Sequence, residues 1–152
     1  MSKINWGRVL VGGLVAAIIC FLTDGLLHEK LVATDWKAIY DNLRSATPEE
    51  HGGNIAYFAI FDLGRGLVSI FLYAVMRAKF GAGPKTAAIA GITTWIAFSL
   101  TGPAQLIPLG FYSDALWVKV AVFQLVTSIV STIAGAALYK EKASPVEFSA
   151  VA

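Results

Sequence analysis

Charge is scarce in this sequence: only 14% of its 152 residues are Asp, Glu, Lys or Arg, where a soluble domain carries about a quarter. Net charge is +2, and no basic block interleaved with aromatics occurs, which leaves no basis for a nucleic-acid partner. There is one cysteine, Cys20, so no internal disulfide forms, and no Cys/His pair has zinc-finger spacing. Neither of the two histidines lies deep in an apolar run, which excludes a buried bis-histidine haem. HExxH-type motifs, glycine-rich phosphate loops and nucleophile elbows are all missing. The sequence therefore calls for no cofactor and gives no sign of a soluble-type enzyme. Internal repeats and low-complexity tracts are lacking too.

Apolar residues are abundant, at 57% of the chain. They gather into four runs, over about residues 9–27, 54–76, 85–107 and 115–139. Each run has roughly the 20 residues that cross a hydrocarbon core at about 1.5 Å per residue. Lipid offers the backbone no hydrogen-bond partners, so each run is expected to be helical. The expected fold is thus all-α: an integral membrane four-helix bundle forming one domain over residues 1–142, with a disordered tail over 143–152. The first run resembles a secretory signal, but it continues to Leu27 without a small-x-small cleavage site and reads as a retained span. Between the second and third runs, Gly81 suits the position after a helix end and Pro84 the start of the next helix. Thr101-Gly102-Pro103 should kink or end the third helix early.

Cation placement sets the orientation. Lys3, Arg8, Arg77, Lys79, Lys85, Lys140 and Lys142 fall at the two termini and in the short connection between the second and third runs. The positive-inside rule places that side, and both termini, in the cytoplasm of a bacterial inner membrane. The opposite side carries Glu29, Asp35, Asp41, Glu49, Glu50 and Asp114. On that side the long connection contains Trp36, Ile39, Tyr40 and Leu43 at i, i+3, i+4 and i+7, which predicts a short amphipathic helix over about 35–46 with Thr34 as its cap. Its apolar stripe either lies in the outer interface or folds down as a lid on the bundle. Thr47-Pro48-Glu49-Glu50 reads as a capping box.

Polar residues interrupt the runs. Asp62 and Arg65 are three apart and share a helical face. Arg65 falls about 16 Å from the outer end, near the midplane, and should face protein rather than lipid. Asp24, Thr101, Gln105 and Gln124 fall in the same depth zone, so Asp24, Asp62, Arg65, Thr101, Gln105 and Gln124 are expected to form one polar network. Such a network either holds the helices in register or binds a ligand or ion. Asp24, His28 and Glu29 cluster at the end of the first run, and His51 could join them as metal ligands. Small residues at i, i+4 spacing (Thr127, Ser131 and Gly135; Ala87 and Gly91; Gly13 and Ala17) mark where helices should touch.

Several short motifs carry a resemblance: Asn5-Trp6-Gly7-Arg8, Asp35-Trp36, the turn from Phe80 to Ala87, Ala90-Gly91 with Trp95, and Gly135-Ala136-Ala137-Leu138-Tyr139. On these the chain resembles small uncharacterised four-transmembrane-helix bacterial membrane proteins of the domain-of-unknown-function type. The resemblance implies a four-helix bundle and supplies no catalytic residues. With the lipid bilayer as surroundings, the favoured reading is a structural or accessory subunit of a membrane assembly, contacting another membrane protein or copies of itself. The alternative is a small-solute or proton binding or transport protein that uses the polar network. A membrane-embedded enzyme built on Asp24, His28 and Glu29 ranks third.

Overall fold

In the computed structural model, residues 4–46, 55–111 and 113–141 are described. Among them the chain is all-helical, with no strand. Four helices are long and apolar enough to cross a membrane: α1 (Trp6–Leu31), α3 (Ile55–Phe80), α4 (Pro84–Ala104) and α5 (Asp114–Ala137). Between the first two lies the shorter α2 (Ala33–Ala46). The capping box at Thr47, His51 and the tail from residue 143 lie outside the described residues.

Local chemistry sets the helix ends. The Asn5 side chain accepts from the Arg8 N–H at the start of α1, and Ser113 does the same for Leu116 at the start of α5. Gly81 and Gly83 both take positive φ, and Pro84 opens α4 with its fixed φ. Asn5 also donates from its backbone N–H to the Tyr139 hydroxyl and from Nδ2 to the Lys140 carbonyl. Both ends of the described chain therefore meet at one end of the helix assembly.

Two helices contain a wider, π-helical turn: Leu27–Leu31 closes α1, and Ile96–Leu100 interrupts α4. The second comes just before Gly102-Pro103. In a regular helix the Pro103 ring would collide with the Ser99 carbonyl, and the added residue relieves that contact. The carbonyl of Leu100, the last residue of this turn, accepts the Trp117 indole N–H from α5 at 3.1 Å. The helix ends at Ala104, three residues before the expected Ile107.

α1 packs on α3 and α5, α4 packs on α5 and α3, and α3 also meets α5. Glycine governs how closely they approach. A Cβ on Gly12 would strike the Gly135 backbone, one on Gly66 the Gly13 and Ala17 backbone, and one on Gly91 the backbone of Ser128 and Ile129. Around these contacts a core forms from Val9, Ala16, Ile70, Tyr73, Ala87, Ala90 and Ala136. At the other end Leu27, Val32, Leu116 and Val120 form a second cluster, on which Trp36 and Ile39 of α2 pack. The first turns of α2 therefore cover the helix ends as a lid, and Lys119 of α5 reaches Asp35 at 2.9 Å. Because α2 starts at Ala33, Thr34 lies inside its first turn instead of capping it.

Candidate functional site

Two helices bring carboxylates to one guanidinium. Arg65 on α3 is 1% exposed, the largest of the fully buried side chains among the described residues. Its Nη1 donates to Asp62 Oδ1, one turn earlier on α3, at 2.9 Å, and to Asp24 Oδ2 on α1 at 2.5 Å. Its Nη2 reaches the Ser128 hydroxyl on α5 at 3.5 Å. The guanidinium also lies over the Phe61 ring, 5.7 Å from its centroid, and Phe61 meets Phe98 of α4 edge-on. Gln124, one turn before Ser128 on α5, donates from Nε2 to Asp24 Oδ2 at 2.8 Å. Asp24, Asp62 and Gln124 are all buried.

Three α-helices thus meet at one cluster of charged and amide groups. Glycine makes room for it: Gly66 lets α1 approach α3 backbone to backbone, beside Arg65. One turn below Asp24, the Cys20 thiol contacts the Ser131 hydroxyl at 3.4 Å, which extends the polar row along the α1–α5 seam. Among the described residues, the buried side-chain atoms without a protein partner are Asp24 Oδ1, Arg65 Nε and Ser99 Oγ. Buried polar atoms are nearly always paired, so each of these marks an unfinished interaction. Ser99 lies in the π-helical turn of α4, and the π-helical turn of α1 begins three residues after Asp24. Such turns recur at functional sites because they turn side chains off the regular helical face.

Of the six residues expected in the network, Asp24, Asp62, Arg65 and Gln124 come together. Thr101 and Gln105 do not. The Thr101 hydroxyl donates to the Ile96 and Ala97 carbonyls of its own helix, and Gln105 is exposed in the turn after Ala104. The extra residue in the π-helical turn rotates the face that follows by about 100°. It buries Ser99 and leaves Thr101 exposed. Ser128 is the member that sequence reasoning missed, although its i+4 spacing from Gln124 puts it on the same face.

The metal-ligand candidates fare differently. The His28 Nδ1 accepts the Trp36 indole N–H at 2.6 Å, so this ring nitrogen serves to hold α2. Glu29 is exposed, and His51 lies outside the described residues. No group of three or more His, Cys, Asp or Glu residues is placed to hold a metal ion among the described residues.

No protein-family model matches this chain, and neither the curated proteins nor the solved structures contain a match to it.

Proposed function

We propose that the chain is a multi-pass inner-membrane protein, a four-helix bundle with both termini in the cytoplasm, that binds or transports a small cationic species at the Asp24–Arg65–Asp62 cluster. The observation that carries this reading is the charge count. Two buried carboxylates face one guanidinium, so the fully ionised cluster holds one negative charge in excess. Removing an uncompensated charge from water costs several kcal/mol, and in hydrocarbon there is little to offset it. A positive ligand cancels the excess. An anionic ligand would add to it, and Arg65 already gives Nη1 to both carboxylates. The orientation rests on the cations of the termini and of the Arg77–Lys85 connection. The four long apolar helices and the meeting of Asn5 with Lys140 support the same layout.

The accessory-subunit reading keeps one observation of its own. Val118, Val122, Val126 and Val130 form an exposed stripe along α5. It borders a lateral apolar groove of about 830 Å³ between α1 and α5. Lipid tails or a partner helix would cover such a surface.

Reconstitution into liposomes separates the two. The cation reading expects the protein to dissipate an imposed proton or alkali-cation gradient, and Asp62→Asn to abolish this. A stoichiometric protein partner retained in mild detergent, with no gradient dissipated by either form, would favour the accessory role instead.

A further inference from the structure

We infer that the cation is a proton, held as one exchangeable proton by the Asp24/Asp62 pair; this rests on the cation-site reading and names its ligand. Both carboxylates bond to the same nitrogen, Arg65 Nη1. One guanidinium balances one of the two negative charges, and the second carboxylate has no cation of its own. A divalent metal ion needs about six or more oxygen ligands for Ca²⁺ and an octahedral shell for Mg²⁺. Around this cluster the side-chain oxygens are those of two carboxylates, the Gln124 amide and the Ser128 hydroxyl, and Asp24 Oδ2 is already taken by Arg65 and Gln124. A proton needs a single oxygen. Asp24 Oδ1, buried and without a partner, shows that the cluster as it stands leaves carboxylate acceptor capacity unused.

Among the described residues no second lysine or arginine bonds to either carboxylate. From α1 the cluster faces Asp24, with His28 one turn above it, its Nδ1 accepting from the Trp36 indole, and Cys20 one turn below, its thiol resting on Ser131. From α3 it faces Asp62 and Arg65. α5 contributes only the neutral Gln124 and Ser128, since its last charged residue, Lys119, is exposed and paired with Asp35. α4 carries no charged residue beyond Lys85. Uptake adds one H⁺ to one carboxylate oxygen, giving a neutral acid beside a neutral Asp–Arg pair. Release returns that proton to water, and no other bond changes.

Infrared spectroscopy of the purified full-length protein, with and without carboxyl-¹³C aspartate, tests this. The expected result at neutral pH is one protonated carboxylic-acid C=O band that shifts with the label and disappears as pH is raised. Asp24→Asn and Asp62→Asn should each remove it, because each leaves one carboxylate for one guanidinium. The wild-type band is readable without either variant, and melting curves show whether the variants fold. No such band, but carboxylate bands that respond to sodium or potassium, would overturn the proton and leave the cation site. No band and no cation response would overturn both. A labelled band that persists in both folded variants would place the proton elsewhere and also overturn the inference.

Discussion

At the end where Asn5 meets Tyr139 and Lys140, Val9, Ala16, Ile70, Ala87, Ala90 and Ala136 fill the space between helices whose backbones touch at Gly12 and Gly135. Toward the opposite end the same helices close around Asp24, Asp62, Arg65 and Gln124. Close packing of small residues, with the Asn5–Tyr139 and Arg77–Glu141 contacts at its rim, accounts for the cohesion of the first region without a buried charge. The second region keeps three ionisable groups where apolar side chains of similar volume are often at least as stable. A feature that stability does not require is a candidate for function, which is why the two ends should respond differently to substitution.

Arg65→Leu should have the largest effect. It leaves the buried Asp24/Asp62 pair without its counter-charge, a loss on the order of 3–5 kcal/mol. Thermal melting in detergent should show a large fall in Tm or failure to fold. Adding Asp62→Leu should restore part of that loss, because only one buried carboxyl group then remains, with Gln124 still bonded to it. A double variant that melts no higher than Arg65→Leu would break the charge argument.

A matched pair of glycine substitutions sharpens the contrast within two residues of chain. A Cβ at Gly66 meets the backbone of Gly13 and Ala17, whereas one at Gly64 meets nothing within 4 Å. Gly66→Ala should cost about 1–3 kcal/mol through overpacking. Gly64→Ala should be neutral, or stabilising by up to about 1 kcal/mol from helix propensity. Equal melting of the two would mean that α1 and α3 do not approach closely there.

Smaller effects are expected where α2 docks. Trp36→Phe keeps most of the ring packing and removes the bond to His28, a loss of about 0.5–1.5 kcal/mol. Lys119→Ala breaks a largely exposed ion pair with Asp35 and should cost at most about 1 kcal/mol, less at high salt. Faster amide hydrogen exchange in α2 than in α3 would report both losses locally.

The four long helices are legible in the sequence because run length and lack of charge are one-dimensional properties. The Asp62–Arg65 pair is equally legible, since i, i+3 spacing fixes a shared face. Asp24 and Gln124 follow from counting depth along helices of alternating direction. Thr101 and Gln105 satisfy the same count and still miss the cluster, because depth gives height and not azimuth. The π-helical turn at Ile96–Leu100 changes the azimuth without any periodic signal. Ser128 is hidden for another reason: a serine in a row of small residues reads as packing. The sequence leaves the destination of Trp36 and Ile39 open since an apolar stripe suits lipid and protein alike, and only the fold brings Leu116 and Val120 beneath them.

Whether the charged cluster is there for binding or for cohesion is tested most directly by the melting temperature of the Asp24→Leu/Asp62→Leu/Arg65→Leu triple variant. If the charges serve a ligand, removing all three together leaves no buried charge to compensate, and the triple variant should melt at or above the wild type. If it melts as low as Arg65→Leu alone, the ion pairs themselves hold α1, α3 and α5 in register, and the cluster is a clamp.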